Sequence, residues 1–162
     1  MNEKILNHLR AHFNSSILTV NEFRGELTVV IKKLDIVPIC KSLRDSEELS
    51  FDSLRDVCGV DHYRPEDRFE VVYNLYSLKN KCRVRLKVRV DENDIHVPSV
   101  SSIWKTADWA ERETYDMLGI LFDGHPDLRR MYMPEGFEYH PLRKEFPLMG
   151  IPGSLPLPRK NN

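Results

Sequence analysis

Apolar side chains recur along this chain in two periods, and the switches between them lay out its elements. Ile5, Leu6, Leu9 and Phe13 return every three or four residues behind a capping candidate at Asn2, which predicts an amphipathic helix. Residues 16–20 and 26–32 are β-rich runs separated by NEFRG, whose Gly25 suits a turn, so they predict a hairpin. Asp35 then reads as an N-cap. Ile36, Ile39, Cys40 and Leu43 have helical spacing, and Pro38 falls in the first turn, where its missing N–H costs little. A short apolar stretch through Phe51, Leu54 and Val57 to Val60 precedes the polar loop HYRPEDR.

The clearest alternation follows. Residues 69–78 and 82–90 flank Lys79-Asn80-Lys81 in the pattern of an antiparallel hairpin. In its second strand Val84, Leu86, Val88 and Val90 share one face, while Arg83, Arg85, Lys87 and Arg89 share the other, predicting a half-buried sheet with a cationic outer face. A last helix is predicted from about Ser102 to Leu118, stopped by Gly119. Beyond it Pro126, Pro134, Pro141, Pro147, Pro152, Pro156 and Pro158 break any periodic apolar pattern. Such a segment builds no core of its own. Prolines fix φ and remove ladder donors, so it runs extended over another surface. Leu128, Met131, Tyr132, Met133, Phe137, Tyr139 and Phe146 are too many large apolar groups for a solvated tail. The architecture expected is therefore α+β, a small mixed or antiparallel sheet packed with helices over residues 1–122, with an extended, proline-rich, partner-binding arm over residues 123–162.

Composition narrows the function. A chain of 162 residues with 41% hydrophobic content builds one core. Its 24 basic and 25 acidic residues give a net charge of -1, without the basic excess of a dedicated binder of nucleic acid or anionic membrane. Cys40, Cys58 and Cys82 lie far apart with no ligand spacing, so neither a disulfide framework nor a four-cysteine cluster site is expected, and a reducing compartment is favoured. The charged N-terminus MNEKILNHLRAHF does not read as a secretory signal, and no run approaches the ~20 apolar residues of a membrane span.

The densest chemistry lies between Glu111 and Pro147. On the predicted helix Glu111 shares a stripe with Trp104, Tyr115 and Leu118, which partly buries its carboxylate and calls for a cation from Arg129, Arg130, Arg143 or Lys144. Arg112 and Asp116 have the i,i+4 spacing of a helical ion pair. Glu111, Asp116 and His125 admit a hydrolase reading, but nothing supplies a nucleophile or oxyanion hole. His8 and His12 lack a third metal ligand, and His125 reads as a loop hydrogen-bonder. The basic strand admits an RNA-binding reading, yet it carries no aromatic residue on that face for base stacking. Gly119-Ile120-Leu121-Phe122-Asp123-Gly124 is neither a dinucleotide nor a phosphate loop.

The run ERETYDMLGILFDGHPDLRRMYMPEGFEYHPLRKEFPL resembles the signature of the 30 kDa subunit family, the C-type component of proton-translocating NADH:quinone oxidoreductase (respiratory complex I). E-R-E, Y-D-M, G-I, G-H-P, L-R-R and P-L-R-K follow in order, and the likeness extends over roughly residues 50 to 150, including Gly59-Val60-Asp61. Related membrane-bound hydrogenases and the chloroplast enzyme carry an equivalent component. The resemblance implies that the chain is non-catalytic in itself but part of a translocase, a peripheral-arm subunit without a cofactor, with FMN, iron–sulfur clusters and quinone held by other subunits. It implies as partners the quinone-site (D-type) subunit, which is like hydrogenase large subunits, and the terminal-cluster (B-type) subunit. It places the protein on the cytoplasmic face of a bacterial inner membrane, or on the equivalent matrix or stromal side. The matching positions, Glu111, Arg112, Glu113, Tyr115, Asp116, Gly119, Gly124, His125, Pro126, Leu128, Arg129, Arg130, Pro141, Leu142, Arg143 and Lys144, are expected to lock the helix end to the arm and the arm to its neighbour. Phe137, Tyr139 and Glu145 stand where the family has Trp, Gly and Asp. Tyr139 matters most, because a Gly held at positive φ is not replaced without strain.

Overall fold

A computed structural model describes residues 1–150. Its elements in order are α1 (Asn2–Phe13), β1 (Ile17–Phe23), β2 (Glu26–Ile31), α2 (Ile36–Asp45), β3 (Ser53–Asp61), β4 (Phe69–Ser77), β5 (Cys82–Val90), β6 (His96–Pro98), α3 (Ala107–Leu118) and β7 (Leu121–Asp123). Five strands form one sheet in the order β1-β2-β5-β4-β3, antiparallel except where β2 runs parallel to β5. This is the α+β class expected of the sequence. The part of the predicted arm over residues 151–162 lies outside the described residues.

The period-two runs dictate the layering. Leu27, Val29 and Ile31 of β2, Val84, Leu86, Val88 and Val90 of β5, and Phe69, Val71, Tyr73 and Leu75 of β4 join a single buried cluster. Onto that face pack Ile5 and Leu9 of α1, Ile36, Ile39, Cys40 and Leu43 of α2, and Ala107 and Leu118 of α3. Helices on one face of one sheet make this a two-layer sandwich among the described residues. The β1–β2 connection is tighter than NEFRG implies: the strands pair as far as Phe23 and Glu26, leaving only Arg24 and Gly25, with φ of 52° and 80°. That is the two-residue turn whose twist matches a hairpin.

Three expectations about helix starts need correction. Asn2 lies inside α1, and its side-chain amide donates to the Gly25 carbonyl (3.1 Å) instead of capping. Asp35 occupies the N-cap position of α2 without a side-chain cap bond, because a 3₁₀ turn over Lys33–Asp35 already leads the backbone in. Helix α3 begins at Ala107, five residues later than predicted, since the chain from Ser101 to Thr106 is turns. This late start matters for the site: β6, α3 and the parallel β7 form one unit, with the Ser99 N–H bonded to the Asp123 carbonyl (2.8 Å). Helix α3 rests on the edge strand β3 at Gly59, where an added Cβ would lie 2.4 Å from Leu118 Cδ1.

Candidate functional site

Four carbonyls at the C-terminus of any helix lack an intrahelical partner, and in α3 all four are satisfied. Gly119, at φ 81°, turns the chain back so that its N–H meets the Tyr115 carbonyl (2.8 Å). The other three are met by the segment after Gly124. His140 Nδ1 donates to the Asp116 carbonyl (3.0 Å), the Leu142 N–H to that of Met117 (3.0 Å), and Arg143 Nε to that of Leu118 (2.7 Å). Arg130 and Arg143 place positive charge at the negative end of the helix dipole. Gly119 is required twice over, for its left-handed φ and because a Cβ there would meet His140 Nε2 at 2.5 Å. His140 itself titrates below the ordinary histidine value, chiefly through burial, with Arg143 and Arg130 adding to the fall.

The Asp116 side chain ties the same segment down from inside the helix. Its Oδ2 accepts three successive backbone N–H groups, from Met131 (3.0 Å), Tyr132 (2.7 Å) and Met133 (3.0 Å), and its Oδ1 pairs with Arg130 (2.7 Å). The carboxylate is fully buried, which alone would raise its pKa, yet these donors hold it below the ordinary aspartate value. The predicted Arg112–Asp116 pair does not form. Arg112 instead donates to the carbonyl of Arg129 (3.1 Å) and lies over the Trp109 ring (5.0 Å). The i,i+4 pairing loses because the arm offers Asp116 three main-chain donors and an arginine at once.

Glu111 corrects a second expectation. It is fully buried, beyond the partial burial its position on α3 predicts, but among the described residues no arginine or lysine meets it. Its Oε2 accepts from Ser99 Oγ (2.6 Å) and its Oε1 from the Val100 N–H (2.8 Å), both from the turn that follows β6. His125 Nε2 stands 4.0 Å away and bonds the Asp108 carbonyl (3.1 Å), while its Nδ1 accepts from the Asp127 N–H (3.1 Å), which puts the ring proton on Nε2. Burial pushes the Glu111 carboxyl up to about 7, against the hydrogen bonds from Ser99 and Val100 that favour the ionised form. Glu111 therefore staples helix to turn.

A second fastening is absent from the sequence reading. Asp61, at the end of β3, accepts from Arg68 Nε (3.1 Å) and Nη2 (2.9 Å), from the Tyr63 N–H (2.8 Å) and from the Lys144 N–H (2.9 Å). Arg68 also pairs with Glu92 (2.6 Å) and with Glu145 of the arm. Burial would lift the Asp61 carboxyl, but the Arg68 and backbone donors hold it down to about 2. Thus the arm is held at Asp116 and again at Asp61, across residues 130–145. A cluster joining the ends of β3, β4 and β5 to the arm leaves no local spacing to read. Its only trace is Gly59-Val60-Asp61 within the resembling region.

The other expected residues divide between inside and outside. Leu128 packs against the core, and Tyr115 sits edge-on to His140 (6.4 Å). Gly124 turns at φ 81° in open space, with Pro126 exposed after His125. Pro141 is half-buried, just before Leu142, which contributes its backbone to the cap while its side chain is exposed. The side chains of Glu113, Arg129 and Lys144 face solvent: Arg129 pairs with Asp127 (3.0 Å), and Lys144 acts through its backbone. The basic face of β5 is largely neutralised, with Arg85 on Glu26 (3.0 Å), Lys87 on Glu70 (2.8 Å) and Arg89 near Asp67 (3.7 Å). Its predicted cationic character reduces to the end near Arg83, which removes the support for an RNA platform. Glu111, Asp116 and the His125 side chain present no surface to solvent, so no substrate reaches the trio on which a hydrolase reading relies. Among the described residues no three His, Cys, Asp or Glu side chains converge as a metal site. Chemically, the arrangement fastens one segment to another.

The profile of the respiratory-chain NADH dehydrogenase 30 kDa subunit family matches residues 29–152. The chain belongs to this family. Among its relatives, the C-type subunit of NADH-quinone oxidoreductase from Geotalea uraniireducens (strain Rf4) is 50% identical over 149 residues, 92% of this chain and 90% of that one. The second such C-type subunit of Rhizobium meliloti (strain 1021) is 50% identical over 143 residues, 88% of this chain and 78% of that one. In structure, the trypsin-resistant fragment of Nqo5 superposes with a TM-score of 0.66 at 34% identity, covering 79% of this chain and all of the fragment. A chain of the archaeal membrane-bound sulfane sulfur reductase shares the fold, with a TM-score of 0.77 at 20% identity over 91% of this chain and 86% of that one.

Within the 30 kDa subunit family pattern, the departure at Tyr139 carries no backbone strain. Tyr139 is not among the residues at positive φ; its carbonyl accepts from Arg130 (3.1 Å), and its ring meets Phe137 edge-on (5.7 Å). Glu145, in place of the family's Asp, keeps the carboxylate that reaches Arg68.

Proposed function

We propose that this member of the 30 kDa family serves its NADH-quinone oxidoreductase as an assembly subunit that holds no redox cofactor, and that its latched arm is the docking element. The observation that carries this reading is the two-sidedness of the arm. Its inward groups are consumed by α3, Asp61 and Arg68. Outward it presents Tyr132, Tyr139 and Leu142, and just beyond its last fastening Leu148 and Met149. Large apolar groups held on a rigidly fastened segment are what an interface needs, because their ordering cost is met before the partner arrives. Exposed Trp109, beneath Arg112, extends the same surface onto α3.

The partners we assign are the quinone-site (D-type) and terminal-cluster (B-type) subunits, which carry the electron path from FMN and the clusters to quinone. No helix among the described residues is long and apolar enough to cross a membrane; in our reading, attachment there runs through partners, on the cytoplasmic face in a bacterial host. The test is recovery of the tagged chain from its native membrane in mild detergent, with identification of its companions and assay of NADH:quinone reductase. Recovery with both assigned partners and with activity is expected, and the isolated chain should show no visible chromophore. Recovery as a free chain, or with FMN or a cluster bound to it alone, contradicts the reading.

A further inference from the structure

Away from the latch, a concavity of about 510 Å³ opens at the end of the sheet where β2, β5, β4 and β3 run side by side, with Glu26, Arg55, Asn74, Tyr76, Arg83 and Arg85 in its lining. Three guanidinium groups against one carboxylate leave a surplus of two positive charges there, in a chain whose net charge is -1. The guanidiniums are pre-positioned. Arg85 is held by Glu26 (3.0 Å) and Asn74 (3.2 Å), and Arg55 lies over the Tyr76 ring (4.7 Å). Arg83, 72% exposed, stands 3.5 Å from a Glu26 already engaged by Arg85. Arg55 and Arg83 are thus left with donors to spare.

We propose that this concavity receives an acidic segment of a neighbouring subunit, two carboxylates of which engage Arg55 and Arg83. The inference rests on the reading of the chain as a component of a larger complex. Charge complementarity selects the occupant. Planar guanidiniums bind carboxylates through paired donors. Arg55 already occupies a face of the Tyr76 ring, the one aromatic residue in the lining, which disfavours base stacking. A polyanion or an anionic lipid surface would also meet the recess on the other side of Arg83, where Glu3, Glu22 and Glu26 stand against Lys81 and Arg83 and leave no positive surplus. A short acidic segment need not extend that far.

The test uses the complex purified in mild detergent from cells carrying Arg83→Lys or Arg55→Lys, which place a primary amine at the site, treated with a zero-length carbodiimide and analysed by peptide mass spectrometry. Cross-links from these positions to Asp or Glu of another subunit, absent from the parent, are expected. In addition, the double substitution Arg55→Glu and Arg83→Glu should weaken retention of the chain against a salt wash by roughly a hundredfold, the loss of two charge-assisted hydrogen bonds. Links to Glu26 alone show that the amines react but meet no partner, and overturn the proposal, as does unchanged salt resistance of the double variant. Loss of the introduced amines' coupling to Glu26 in the presence of inorganic phosphate or of phosphatidylglycerol vesicles, without inter-subunit links, overturns it in favour of a phosphate ligand. If the chain is recovered outside any complex, the reading of it as a component of one fails, an outcome distinct from an intact complex without the link.

Discussion

Replacing Glu111 by Gln should stabilise this protein at alkaline pH and leave it unchanged at acidic pH. The fold raises the Glu111 carboxyl from an ordinary 4.5 to about 7, so the folded state binds this proton more tightly than the unfolded chain does. Stability from this group is therefore fully present below about 4.5 and is lost as pH rises through about 7. At about 1.4 kcal/mol per pH unit of difference, roughly 3 kcal/mol is at stake. Gln mimics the protonated acid: its carbonyl accepts the Val100 N–H, and its amide faces Ser99 Oγ, which accepts as well as donates. At pH 8 the Gln variant should exceed the parent by up to about 3 kcal/mol, or roughly 6–10 °C in Tm for a domain of this size. At pH 4 the two should agree within about 0.5 kcal/mol. Thermal and denaturant melts of both full-length chains across this range decide the matter. A difference that does not change with pH, or a variant less stable at pH 8, refutes the reasoning. Glu111→Ala separates burial from titration, since it strands two buried donors and opens a cavity, and should be about 2–4 kcal/mol less stable than Glu111→Gln throughout.

Gly119→Ala should release the arm, because the new Cβ occupies the space of His140 and Arg143 in a left-handed residue; limited trypsin digestion should cut after Arg130 and Arg143 several-fold faster than in the parent, and equal rates would contradict the packing. Asp61 titrates at about 2 instead of 3.8, so its contribution, roughly 2 kcal/mol, is present above about pH 4 and lost as pH falls toward 2. In Asp61→Asn that acid-dependent loss should vanish while stability at pH 7 drops, as acid titration followed by circular dichroism will show.

The parts of the fold legible from sequence were those with an unbroken local period. β5 alternates without interruption, and α2 keeps its spacing through Pro38. β3 did not read as a strand because a bulge between Leu54 and Asp56 inserts Arg55 and resets the alternation. Nor did any local signal announce the parallel β2–β5 pairing, which depends on distant segments meeting. In the site, burial of Glu111 was readable from helical position, and Gly119 from its place at the helix end. Their partners were not. Sequence reading matches side chain to side chain, whereas Asp116 is held largely by three backbone N–H groups and Glu111 by a serine and an amide of a preceding turn. Main-chain donors carry no residue code.

The account stands most directly on whether the latch at Asp116 is what presents this chain to its complex. Asp116→Ala strands Arg130 and three backbone donors, at a cost of about 3–5 kcal/mol for breaking a buried pair. The core does not rest on that contact, so the variant chain should keep its β-sheet spectrum and a cooperative melt. Purified from membranes under mild detergent, NADH-quinone oxidoreductase carrying the variant should have lost this chain, and quinone reductase activity with it. A complex recovered with the parent's full composition and activity would contradict the central claim.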